Sequence, residues 1–182
     1  MKKSVMIHWL KKLLLAGAAV LAVVLVGGLA AIIFLHEDEN VSTEIIIDAS
    51  LAQVWKVLDD TAAYPEWNSL IRKIDGDLKT NGTVWVTIKL PESGSDRYQV
   101  KILGYIPEHE IRWEHDFAVP RLFYGKHKII IDAVNENQTI LRHGKEFKGL
   151  LVGPLSAGHL RQTRDGFEKM NKELKMRVEN SG

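Results

Sequence analysis

Apolar residues are distributed along this chain in three ways. Near the start, Leu13 to Leu35 is an unbroken run of 23 apolar or small residues. At ~1.5 Å per helical residue it spans roughly 35 Å, enough to cross a hydrocarbon core. From residue 41 onward the pattern changes to short runs that alternate with period two. Near the end it changes again. Leu160, Phe167, Met170, Leu174 and Val178 recur near helical spacing, with Arg161, Arg164, Lys169, Lys172 and Lys175 on the other sides. One membrane-length helix, a set of short strands and one long amphipathic helix are therefore predicted.

The alternating region opens with a distinct unit. Glu44 to Asp48 is β-branched and short, which predicts a strand. Ser50 and Gln53 fit a capping box, and Leu51, Val54, Trp55 and Leu58 form one apolar helical face. Tyr64-Pro65 closes the helical stretch, because the residue before a proline avoids the α region. Further strands are predicted at Leu70–Ile74, Thr83–Leu90, Arg97–Tyr105, Glu110–Phe117, Lys126–Val134 and Thr139–Phe147. Val119 to Tyr124 reads as a loop or an irregular edge. Short turns such as Asn81-Gly82 and Asn135-Glu136-Asn137 join consecutive strands, which argues for an antiparallel meander. A curved antiparallel sheet with a long helix across it is the expected α+β arrangement.

The residues Ile47-Asp48-Ala49-Ser50-Leu51-Ala52-Gln53-Val54-Trp55 and Tyr64-Pro65-Glu66-Trp67-Asn68 carry a resemblance. They resemble the opening of the START-like, or SRPBCC, superfamily, and in particular its polyketide cyclase/dehydrase and lipid-transport group. The resemblance covers roughly residues 41 to 178 and implies a helix-grip fold, with a cavity between sheet and last helix. His143, Phe147-Lys148-Gly149 and Gly153-Pro154-Leu155 resemble the last strand and lid of that group. There an acidic residue often stands two after the histidine; here Lys145 stands there and Glu146 follows. The fold hosts binders, carriers and enzymes, so it does not choose an activity.

Charge refines the domain picture. Lys2, Lys3, Lys11 and Lys12 are the only ionised residues before His36, and beyond it lie 20 basic and 23 acidic residues. The four lysines favour a cytoplasmic N-terminus, which puts the domain outside the cytoplasm. A cleaved signal peptide is the alternative, but Ala31 to Leu35 continues the apolar run past Gly28-Leu29-Ala30. The resulting division is a basic segment 1–12, a transmembrane helix 13–35, a linker 36–40 and a START-like ligand-binding domain 41–179. A slightly acidic domain argues against nucleic-acid binding. Oligomeric state is left open.

Candidate chemistry is sparse. The absence of cysteine excludes thiol catalysis and thiolate metal sites. No His-x-x-x-His pair and no Gly-x-Ser-x-Gly elbow occurs, so no metal, no cofactor and no nucleophilic serine is expected. Glu146, His127 and His143 would serve acid–base chemistry only if they faced a cavity; the solvated reading is preferred. The aromatic set is the better signal, because apolar ligand sites are lined by such side chains. Trp113, His115 and Phe117 share one predicted strand face with Ile111, and with Trp67, Tyr64 and Phe123 they are the expected ligand-binding residues. The expected function is a membrane-anchored binder of an apolar small molecule or lipid. The alternatives are a cyclase or dehydratase acting on a polyketide-like substrate, and a non-catalytic interaction module with a filled core.

Overall fold

The structure is a computed structural model. It describes residues 2–34, 38–90, 94–116, 124–149 and 152–180. The chain divides into two units, Met1–His36 and Glu37–Gly182. The first is one helix, α1 (Lys2–Phe34), in which Lys11–Ala31 is long and apolar enough to cross a membrane. Its apolar side chains, among them Leu14, Leu21, Val24 and Leu29, are exposed.

The second unit is one seven-stranded antiparallel sheet and the helices packed on it. The strands are β1 (Glu39–Ile47), β2 (Ile71–Asp75), β3 (Thr83–Lys89), β4 (Ser95–Ile106), β5 (Glu110–Asp116), β6 (Tyr124–Asn135) and β7 (Gln138–Lys148). Their order is β1-β7-β6-β5-β4-β3-β2. All but β1 pair with their chain neighbours, so the predicted meander is present. β1 instead crosses the structure to pair with β7 over its whole length, Glu39 opposite Phe147 and Ile47 opposite Thr139. It begins at Glu39, so Glu39 and Asn40 of the expected linker lie in the sheet.

The entry unit forms as its residues dictate except at Tyr64-Pro65, where Tyr64 is helical (φ −52°, ψ −42°) and a further helical turn begins instead of the stretch closing. The capping box of α2 (Leu51–Asp59) is complete: Gln53 N donates to Ser50 Oγ, and Ser50 N donates to Gln53 Oε1 at 2.9 Å. Such caps are worth about 1 kcal/mol. Val54, Trp55 and Leu58 are buried on one face. A 3-10 turn (Thr61–Ala63) and the single-turn helix α3 (Tyr64–Trp67) follow. Asn68 is fully buried and its Oδ1 accepts from Leu70 N and Ile71 N, which aims the chain into β2.

The long helix α4 (Val152–Glu179) lies across the concave face, against β1 and β7 in particular. Phe167, Met170, Leu174 and Val178 are buried there, on the stripe that the sequence predicts. Gly153 and Pro154 fall in the first turn of α4, where proline is tolerated. Gly166 marks a close approach: a Cβ there would stand 2.9 Å from Leu70 Cδ1. This places Leu70 and the middle of α4 together at one end of the core.

Candidate functional site

Cross-strand register decides which side chains share the concave face. His127 on β6 stands opposite Trp113 on β5 and Lys145 on β7; Ile129 stands opposite His143. Thr43 on β1 is opposite His143 from the other side. Trp113, His127, His143 and Lys145 therefore point at α4, together with Ile111, His115, Leu141 and Phe147. From α4, Thr163, Phe167 and Asn171 face them, and all three are buried.

These residues surround a cavity of about 40 Å³ between sheet and helix. Its lining is apolar at one end, with Leu70, Ile71, Ile88 and Leu90, and basic at the other, with His115, His127 and Lys145. Phe147, Phe167, Tyr98 and Thr163 complete the wall. An open groove of about 380 Å³ shares Leu70 and Leu90 with it and carries Arg72, Lys89 and Lys169. Arg72 is held there by the Asn68 and Pro65 carbonyls, at 2.8 and 3.0 Å.

A hydrogen-bond chain backs the cavity. The Nε2 atoms of His127 and His143 are 2.5 Å apart, and His143 Nδ1 is 3.0 Å from Asn171 Oδ1. Asn171 Nδ2 donates to Thr43 Oγ1 at 3.0 Å, and Thr43 Oγ1 donates to the His143 carbonyl. With the Asn171 amide in this orientation, the tautomers follow. Asn171 Oδ1 accepts, so His143 carries its proton on Nδ1 and presents a lone pair at Nε2. His127 then donates from Nε2, which leaves Nδ1 as its lone-pair nitrogen. Phe167 lies against both rings, with centroids 3.7 Å from His143 and 5.1 Å from His127, and Trp113 meets His127 edge-on at 4.0 Å. This packing fixes both rings in place.

Burial sets the charge state. It drives the His127 and His143 pKa values well below the ordinary imidazole range, so both rings are neutral at neutral pH. His115 is pushed down to about 3 by burial first and by Lys145 second. Lys145 is partly exposed along its length, but its ammonium is enclosed, and burial lowers its pKa to about 7. Its Nζ lies 5.0 Å from the Phe147 ring centroid. The site thus presents neutral bases and one amine poised near neutrality. Among the described residues no group of three or more His, Asp or Glu is placed to hold a metal ion. Two histidine nitrogens on one zinc would sit roughly 3.3 Å apart, whereas this pair is at hydrogen-bond distance.

The expected ligand-binding residues fall in different places. His115 lines the cavity. Trp113 is 1% exposed and packs behind His127. Tyr64 is also 1% exposed, and its hydroxyl donates to the Leu58 carbonyl. Trp67 stacks edge-on against Tyr64 and borders a separate surface groove with Glu173 and Arg177. Phe117 and Phe123 lie outside the described residues. Glu146 points to the outer face, beside Lys128 and Lys148. His127 and His143, for which the sequence favours the solvated reading, face inward instead. Thr163 and Asn171 carry no motif, and Lys145 stands where the resembled group often has an acidic residue. The one usable signal was parity: His143 and Lys145 share theirs with Leu141 and Phe147.

The family model described as polyketide cyclase / dehydrase and lipid transport matches residues 38–179. No curated protein matches the chain. Among solved structures, a START superfamily protein from Mycobacterium smegmatis is 17% identical, with a TM-score of 0.62, over 79% of this chain and 99% of that one. The Zhui aromatase/cyclase from a Streptomyces species is 14% identical, with a TM-score of 0.56, over 79% and 94%. A norcoclaurine synthase point mutant from Thalictrum flavum, in complex with a transition-state analogue, is 16% identical, with a TM-score of 0.55, over 81% and 98%. At these identities the likeness is one of fold.

Proposed function

This chain belongs to the polyketide cyclase / dehydrase and lipid transport family, and on that premise we propose that it binds an apolar small molecule or lipid. The observation that carries the reading is the cavity, walled by Leu70, Ile71, Ile88, Leu90 and Phe167 and ending in His115, His127 and Lys145. An apolar wall with a few convergent polar groups is the usual make-up of a small-molecule site. At about 40 Å³ it is far below the ~300–1,000 Å³ of drug-sized sites, so loading widens it. The neighbouring groove with Arg72, Lys89 and Lys169 offers room for a polar head.

The domain works at a membrane surface, tethered through α1 with its N-terminus in the cytoplasm. The four lysines before the apolar run support this orientation. A reporter fused after Gly182 is expected to read outside the cytoplasm; a cytoplasmic signal reverses the topology.

Native mass spectrometry of the full chain, released from mild detergent, tests the binding reading. We expect a retained small molecule. Thr163→Leu, which fills the cavity from α4, should abolish that retention while the melting temperature holds or rises. Retention that survives Thr163→Leu, or a bare protein from every preparation, would sink the reading. A second reading, proton transfer on a carbonyl substrate, is favoured by the ordered chain Thr43–Asn171–His143–His127, which leaves His127 with a basic nitrogen.

A further inference from the structure

We propose that Lys145 captures aldehydes or ketones in this cavity as a reversible imine, with His127 moving the protons. The inference rests on the cavity being the ligand site. Three placements carry it. Lys145 lines the cavity from β7 rather than extending over the surface of the sheet. His127 is its direct partner across the β6–β7 ladder, so base and amine stand side by side on one face. His127 is in turn held by His143, and His143 by Asn171, so its ring keeps one orientation.

Among the described residues, the groups around the amine come from several packed elements. His127 belongs to β6, His115 to β5 and His143 to its own strand; Tyr98 lies on β4; α4 contributes Thr163 and Phe167. Val41 on β1 is its other cross-strand partner. Burial lowers the Lys145 pKa to about 7, so near neutral pH about half of the molecules hold the free amine. Desolvated lysines of this kind are the ones that form Schiff bases.

The chemistry balances without an external oxidant or reductant. The Nζ lone pair attacks the carbonyl carbon, and the C=O π pair moves to oxygen. His127 takes one proton from nitrogen and returns it to that oxygen, giving a neutral carbinolamine. The nitrogen lone pair then forms C=N as hydroxide leaves, and His127 passes the last N–H proton from the iminium to that hydroxide, which becomes water. Amine and carbonyl become imine and one water. An aldehyde or ketone with a short apolar tail fits the adjoining wall of Leu70, Ile71 and Leu90.

The test is reductive trapping on the full chain in detergent, exchanged until its native mass is bare. Propanal and sodium cyanoborohydride are added, and peptide mapping follows each lysine. Lys145 should gain a propyl group at least roughly tenfold faster at pH 7 than exposed Lys73 and Lys169, whose amines are almost wholly protonated there. Its rate should be half-maximal near pH 7, while theirs still rises at pH 9. Lys145→Met should remove the fast adduct and leave slow surface labelling. Should that variant fail to fold, the pH profile of the unaltered chain decides alone. Labelling of Lys145 no faster than that of Lys73 overturns the imine. If the unexchanged chain still retains a molecule that Thr163→Leu releases, the binding reading survives that failure. If nothing is retained either, both fall.

Discussion

Lowering the pH from 7 to 5 is expected to cost this domain most of its stability, well before its carboxylates titrate. Three histidines, His115, His127 and His143, are buried with pKa values lowered from the ordinary 6.5, in each case chiefly by burial. Below pH 6.5 the unfolded chain binds protons that the folded state refuses. Stability therefore falls as pH falls, beginning at the unfolded pKa and continuing toward the lowered folded values, about 3 for His115 and for His143. Three such groups give a limiting slope of about 4 kcal/mol per pH unit. By pH 5 the accumulated loss is on the order of 6 kcal/mol, comparable with the ~5–15 kcal/mol total of an ordinary domain. Asp48 and Asp75 also have lowered pKa values, but their contribution is lost only below about 4, outside this window. Lys145 acts on the alkaline side. Between about 7 and 10.5 the unfolded chain holds a proton that the folded amine has lost, so stability rises with pH there. Urea unfolding at pH 7, 6 and 5 measures the effect. His115→Phe keeps the ring beside Tyr98 and should flatten the acid slope by about one third. An unfolding midpoint that stays constant from pH 7 to 5 contradicts the neutral, buried state of these rings.

The sheet, the capped helix and the gripping helix were legible because each depends on a local period or a local cap. Ser50 and Gln53 make their two bonds within three residues of each other, and α4 buries the stripe that its spacing marks. β1 was legible only from Glu44. Its first residues, Glu39, Asn40, Val41 and Ser42, are mostly polar because they form an edge strand. Their partner, β7, lies about a hundred residues away. The site was harder to read for the same reason. Ile129-Ile130-Ile131 is apolar on both parities, so β6 alone does not say which way His127 points. Only the pairing with Trp113 and Lys145 does, and pairing is non-local. Asn171 and Thr163 read as the polar side of α4, yet the sheet wraps far enough to bury them. A buried polar residue is satisfied by partners brought from elsewhere in the fold, which a window of sequence does not contain. Tyr64 shows the converse. Its aromatic character suggested a ligand, while its hydroxyl is used to tie α3 to the Leu58 carbonyl.

Trp113→Ala is the second large effect expected, and it separates core from pocket. The indole is 1% exposed, is paired across the sheet with Ile102 and His127, and packs edge-on against the His127 ring. Truncating a buried tryptophan costs about 3–5 kcal/mol, through lost contacts and the cavity left behind. For a chain of this size that is a fall in Tm on the order of 10 °C. Trp113→Phe should be far milder. Among the described residues the indole Nε1 is buried with no hydrogen-bond partner, so its loss removes an unsatisfied donor along with some contact area. The same truncation would open space directly behind His127, at the basic end of the ligand cavity. Uptake of a small apolar molecule by the Ala variant should therefore persist or increase, measured by native mass spectrometry below its lowered Tm. A Trp113→Ala protein with unchanged Tm and weakened uptake would instead make the indole a wall of the ligand site. The expected pairing of a lost Tm with retained uptake puts Trp113 in the core behind the cavity, where it packs against the His127 ring.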